Sequence, residues 1–327
     1  MGFVIAFVFW ACTSSKEDDS EPIDDSSPPE TGDDSDEPTK IDPATVPLTG
    51  ECAMAEDYGG FVVIADGKDG YVDGKVADGV VPTSVLETIA SDGDCQLLRK
   101  NNPFCDPGCT AGQTCNFDGE CVPYPSNQDL GTVTITGLVE PVVMEPVFPG
   151  YTYYDTKLPP EPYASGELVT LSAPDAPGGP LELHGVGVSA LEPTDASWVF
   201  QSGKPLTVRW AAPTGVVVRS EVALTISVDQ HGATPSVLRC TFEDDGEAVV
   251  SGKILDALVD AGVTGFPNGT LDRRTVDHGD VLKTGCADFT ISSPRGVPVD
   301  VLGYTPCITT KDCPKGQTCD KDLQICE

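Results

Sequence analysis

The chain has 327 residues, 52 acidic against 19 basic, a formal charge of -33 and thirteen cysteines. Acidity on this scale excludes nucleic acid and anionic lipid headgroups as partners held by charge, since both need basic surface. Glycine (34 residues) and proline (29 residues) are abundant, which favours turns and short strands over long helices.

The chain opens on an uncharged apolar run, Met1 to Ala11, followed by Cys12. The run is too short to cross a hydrocarbon core about 30 Å thick and has the character of a signal peptide over residues 1–11. The Ala11-Cys12 junction resembles the lipobox of bacterial lipoproteins, which implies cleavage before Cys12 and lipidation of its thiol. No Lys or Arg precedes Cys12, so a basic start is expected upstream. Residues 12–48 follow as a Ser/Thr/Pro/Asp/Glu tract, with twelve acidic residues against Lys16 and Lys40. Such a tract buries too little apolar surface to offset its ordering entropy and is expected to be a disordered acidic linker. As a flexible coil it spans roughly 35 Å, more when its like charges extend it. With Cys12 set aside, twelve cysteines remain: Cys52, Cys95, Cys105, Cys109, Cys115, Cys121, Cys240, Cys286, Cys307, Cys313, Cys319 and Cys326. An even number in an exported chain points to disulfides.

Residues 49–126 are expected to form an N-terminal disulfide-rich module. Phe61-Val62-Val63-Ile64 reads as a strand, and Asp66-Gly67-Lys68-Asp69-Gly70-Tyr71 as a turn. Ser84 to Glu87 has the spacing of a capping box, which predicts a short helix through Ile89. Then comes a tight cluster, Cys105 to Cys121, and the C-terminal residues 304–327 hold a second version, Cys307 to Cys326. The shared core is Cys-x-x-Gly-Gln-Thr-Cys, followed by an Asp-containing turn and a fourth cysteine. Each copy is too small for a hydrophobic core and needs covalent staples. Four cysteines allow three pairings; first-to-third with second-to-fourth is the expected one.

Residues 127–303 read as a β-sandwich. Period-two alternation marks Leu206, Val208 and Trp210, then Val222, Leu224, Ile226 and Val228, then Leu238, Cys240 and Phe242. Glu243-Asp244-Asp245-Gly246 before Ala248-Val249-Val250 has the form of a hairpin turn. Shorter strands are expected at 131–138, 168–173, 181–188, 289–291 and 297–302. One helix is predicted after Ser251, with Ile254, Leu255, Leu258 and Val259 as its apolar stripe and Gly262 at its end. Trp198 and Trp210 read as core, and Cys240 with Cys286 as an inter-strand pair left over once the clusters are closed. The expected fold is mainly β: an immunoglobulin-like sandwich flanked by small disulfide-rich modules, with one or two short helices.

The order of lipobox, acidic linker, cysteine module, sandwich and second cysteine module resembles that of predicted lipoproteins of myxobacteria and related deltaproteobacteria. The segments that carry the resemblance are Gly93-Asp94-Cys95, Asn102 to Pro107, Asn127 to Val133 and Pro205 to Trp210. The cysteine modules also look like short Dickkopf-like or EGF-like repeats. The resemblance implies a lipid-anchored protein of the bacterial cell envelope, on the outer membrane or cell surface, and brings no activity with it.

Zinc fits the cysteine clusters poorly: their spacings are C-x3-C-x5-C-x5-C and C-x5-C-x5-C-x6-C, with no C-x2-C pair and no nearby histidine. No metal site or cofactor is therefore expected. Calcium is the one ion worth weighing, at Asp66 to Asp73 or Asp244-Asp245, where Lys68 and Gly70 break the alternate-oxygen pattern and favour plain turns. No Gly-x-Ser-x-Gly, His-Glu-x-x-His or P-loop motif occurs. His184 reads as a strand residue. The densest polar run, Arg273 to Asp280, offers a possible polar site with Asp229, His231, Arg273, Arg274 and Asp277, read first as ion pairing and second as an anion site. Three functions follow: a non-enzymatic surface protein with a structural or adhesive role and a protein or glycan ligand, an envelope hydrolase built on Asp229, His231, Arg273 and Asp277, or a calcium-dependent adhesion module.

Overall fold

The structure, a computed structural model, describes residues 41–214, 218–228 and 236–327. Cys12, the signal peptide and most of the acidic linker lie outside the described residues, as do Asp229 and His231.

Strands dominate. In chain order they are β1 (Asp57–Ala65), β2 (Gly70–Val76), β3 (Leu86–Asp92), β4 (Cys95–Lys100), β5 (Gln113–Cys115), β6 (Cys121–Pro123), β7 (Val133–Thr136), β8 (Val142–Met144), β9 (Tyr153–Leu158) and β10 (Leu168–Ala173). They continue as β11 (Leu181–Val186), β12 (Trp198–Phe200), β13 (Leu206–Arg209), β14 (Glu221–Ser227), β15 (Ser236–Glu243), β16 (Glu247–Val250), β17 (Asn268–Val281), β18 (Gly285–Val301), β19 (Cys319–Asp320) and β20 (Ile325–Cys326). The single α-helix among the described residues, α1 (Gly252–Asp260), lies between β16 and β17. Ser251 caps it by accepting from the Ile254 amide, and Ile254, Leu255 and Leu258 are buried, as the apolar stripe predicts.

One large sheet runs β3-β4-β15-β14-β17-β18-β1-β2-β9, with β12 pairing onto β18. Its spine is the hairpin β17–β18, paired from Asn268↔Pro298 to Val281↔Gly285. Two hydrophobic cores lie along that spine. The first packs β4, β14, β15 and the Asn268 end of β17 against β12, the β13–β16 pair and α1, around Trp198, Trp210, Leu224 and Leu258. The second packs β1, β2 and the start of β18 against a four-stranded sheet, β11-β10-β7-β8, around Phe61, Tyr153, Leu171 and Phe289. Gly185 on β11 has no side chain where a Cβ would run into Ile291, so that sheet lies tight on β18.

The architecture is mainly β and sandwich-like, with two covered halves that share one hairpin. That corrects the expected division at residue 126. Residues 57–100 are no separate module: β4 pairs with β15, and β1 pairs in parallel with β18. Both strands carry alternating apolar side chains that only the large sheet can bury. The expected helix at Ser84 to Ile89 is a short turn, Pro82–Ser84, running into β3. Ser84 Oγ donates to the Val81 carbonyl, while Leu86 to Asp92 pair with β4. The hairpin expected at 243–246 is likewise absent. β15 pairs with β14 and β4, whereas β16 pairs with β13, so this turn carries the chain from one layer to the facing one.

All twelve described cysteines are paired. Each cluster is crossed as expected: Cys105–Cys115 with Cys109–Cys121, and Cys307–Cys319 with Cys313–Cys326. Cys240 and Cys286 do not pair with one another. Cys95 bonds Cys240 across the β4–β15 register, and Cys52 bonds Cys286.

Candidate functional site

Between the two cores the spine turns polar. Most of the buried polar residues of the described chain cluster here: Arg273, Thr275, Asp277, Ser292, Ser293 and Asp244. The predicted polar run is therefore real, and its geometry shows what it does. Residues 273, 275 and 277 alternate along β17 toward one face. The outer edge of β11 from His184 to Val186, which pairs with β10 on its other side, and the segment that continues to Leu191 cross that face. Asp277 Oδ2 accepts from the His184 amide, and Thr275 Oγ1 bonds both the amide and the carbonyl of Val186. Arg273 Nη1 donates to Ser189 Oγ and the Ala190 carbonyl, and Ser293 Oγ accepts from the Leu191 amide. Side chains thus supply the partners that a neighbouring strand would give a buried backbone.

Arg273 is the centre of this band. Its Nε donates to Asp244 Oδ2 at 2.6 Å and its Nη2 to Asp244 Oδ1 at 2.9 Å, a two-pronged pair, while Nη2 also reaches the Ala211 carbonyl. Asp244 also accepts from Trp210 Nε1 and Ser220 Oγ. Every charged atom of the pair has a partner, the condition under which a buried ion pair is tolerated.

Arg274 points to the other face, where it pairs with Glu51 and Glu221. Asp277 Oδ1 accepts from the Thr49 amide and hydroxyl. Arg273 and Asp277 stand four residues apart on one strand, about 13 Å at the usual rise. They serve different segments and share no cleft. Asp229 and His231, the other members of the proposed cluster, lie outside the described residues.

Two carboxyl groups near the spine are displaced. Burial pushes Asp272 up to about 6, although the Ser292 hydroxyl and the nearby Arg274 charge pull the other way. Burial likewise lifts Asp288 to about 6; Asp57 and Glu51 add to the rise, while the Cys52 amide and His278 oppose it.

The turn weighed for calcium is closed by its own backbone: Asp66 Oδ1 accepts from the amides of Lys68 and Asp69, which holds this carboxyl low. Asp244 belongs to Arg273. The sulfur groups of Cys105, Cys109 and Cys121 and of Cys307, Cys313 and Cys319 each come together, but as disulfide partners. The sequence did not point to the N-terminal strap, Asp42 to Glu56. Arg219 donates to the carbonyls of Pro43, Ala44 and Val46, and Gly50 and His278 meet through the Gly50 carbonyl and His278 Nδ1. A paired Cys52 was the only local sign of it.

Among the described residues no helix is long and apolar enough to cross a membrane. No protein-family model matches the chain and no curated protein matches it. Among solved structures the chain is similar to the FN1–FN3 domains of chicken CNTN1, at 9% identity and a TM-score of 0.18, covering 68% of this chain and 67% of that one. A second is described as structural insight into host cell surface retention of a 1.5-MDa bacterial ice-binding adhesin, at 14% identity and a TM-score of 0.16, covering 73% of this chain and 94% of that one. Superpositions this loose carry no functional argument.

Proposed function

We propose that this is a non-enzymatic, exported protein displayed on the bacterial cell surface, held by lipid on Cys12 and lifted off the membrane by the acidic tract of residues 12–48. Its role is binding or adhesion. The observation that carries the reading is the closure of all twelve described cysteines into six disulfides. Such a set persists in an oxidising compartment outside the cytosol. The polar band supports a non-catalytic role, because its side chains are engaged with the protein's own backbone and face no common cleft.

The experiment is metabolic labelling with a fatty acid in a bacterial host that processes lipoproteins. Label on the full chain that disappears in Cys12→Ser, together with protease accessibility on intact cells, is the expected result. An unlabelled chain, or one recovered with free thiols, removes the reading.

A further inference from the structure

The outward face of β4, β15 and β14 floors a groove of about 770 Å³. Glu51 and Met54 of the strap rim it beside β17, and Gly93 and Asp94 rim it at the β3–β4 turn. Strand register sets four of its side chains in one row: Ser91 opposite Gln96, Gln96 opposite Arg239, and Arg239 opposite Thr225. Thr241 follows two residues along β15 and faces the same way. The reverse face of these strands carries Leu97, Leu238 and Leu224 into the core, so the row cannot turn inward.

Arg239 stands out in this row. Arg99, Arg209, Arg219, Arg273, Arg274 and Arg295 each have a hydrogen-bond acceptor. Arg239 is exposed, and its guanidinium has no such partner among the described residues. A free guanidinium presents a planar fork that matches a carboxylate. Around it lie hydroxyl and amide groups, suited to sugar hydroxyls, and no aromatic side chain lines the groove. Of the apolar members, Leu98, Leu224 and Cys240 are buried and Met54 and Ala223 are only partly exposed. A protein partner would need exposed apolar anchors there; a polyhydroxylated ligand would not. Of the two carboxylates in the groove's lining, Glu51 is paired with Arg274 and Asp94 stands at the rim; acidic groups farther off are screened beyond about 8 Å at physiological ionic strength.

We propose that this groove binds an acidic polysaccharide, one uronate carboxylate gripped by Arg239 and the adjoining hydroxyls held by Gln96, Thr225 and Thr241. The proposal rests on the surface-binding reading and names its ligand class.

The test is calorimetric titration of the full chain with an oligogalacturonate, with its methyl-esterified form, and with a poly-glutamate peptide. The expected result is binding of the free oligouronate, weakened more than about tenfold by esterification or by Arg239→Gln and unchanged by Arg209→Gln, an exposed arginine elsewhere. An unaltered thermal melt for Arg239→Gln shows that the loss is not unfolding. Absence of oligouronate binding, equal binding of the ester, indifference to Arg239→Gln, or preference for the peptide would each overturn the proposal. None of these outcomes touches fatty-acid labelling at Cys12, so the two readings fail separately.

Discussion

Arg273 and Asp244 face each other at 2.6 Å with side chains 1% and 0% exposed. One comes from the central hairpin and the other from the turn where the chain changes layers. Asp244→Asn leaves a buried guanidinium without its counter-charge and is expected to cost about 3–5 kcal/mol. By contrast, Glu247→Gln, which breaks an ion pair about half exposed on both sides, should cost under about 1 kcal/mol. Urea denaturation of both variants checks the contrast, and similar costs for the two would refute it.

Acidification should stabilise the fold through Asp272 and Asp288. Both carboxyls rise to about 6 in the folded protein, against about 3.9 in an unfolded chain. The folded state therefore holds more protons between these values. Their contribution is fully present below pH ~4, is lost as pH rises through about 6, and stays lost above that. Asp272→Asn should raise stability at pH 7 by up to about 2 kcal/mol and flatten the slope between pH 4 and 6. Chemical denaturation across that range reads it; a slope unchanged by the substitution contradicts the assignment.

The capping of α1 has its own test. Ser251 Oγ accepts from the Ile254 amide and donates to Asp92 Oδ2, tying the helix to the end of β3. Ser251→Ala removes both bonds and should cost about 1–2 kcal/mol. Ser251→Thr should recover most of that, and thermal melts of the pair would show it.

Cys52–Cys286 closes a sequence separation of 234 residues, whereas the bonds of the two cysteine modules close 10 to 13. Replacing Cys52 and Cys286 together by Ala is expected to lower global stability by about 2–5 kcal/mol. Opening Cys313–Cys326 should loosen the C-terminal module and leave the sandwich transition in place. Urea curves followed by tryptophan emission report the sandwich, since Trp198 and Trp210 sit in its core. Non-reducing peptide maps should recover Cys52 with Cys286 and Cys95 with Cys240.

Alternation was enough to place β13, β14 and β15 and to say which side chains face inward, because period-two burial is local information. The cap and stripe of α1 and the crossed modules were legible for the same reason. Ser84 to Glu87 misled because a capping box is a four-residue signal, while β3 is made by pairing with β4. The partners of Cys95 and Cys52 lie 145 and 234 residues away, and nothing within either neighbourhood encodes the register that joins them. The turn at Asp244 looked like a hairpin because its inward pull comes from Arg273, a residue on another strand. Of the candidate site, the sequence located the polar run but not the backbone stretch, His184 to Leu191, that it stitches down.

The strap that leads into the body carries Cys52, and that residue is bonded to the hairpin strand common to both cores. Tension applied to the chain ahead of Ile41 would first meet the three carbonyl grips of Arg219. Once these and the contacts of Thr49, Gly50 and Glu51 with β17 shear, the load passes through a covalent bond into β18, flanked by β17 on one side and β1 on the other. The pulling of β1 out from between β18 and β2 is bypassed. A body built in this way can be pulled from its N-terminal side without unravelling from that end.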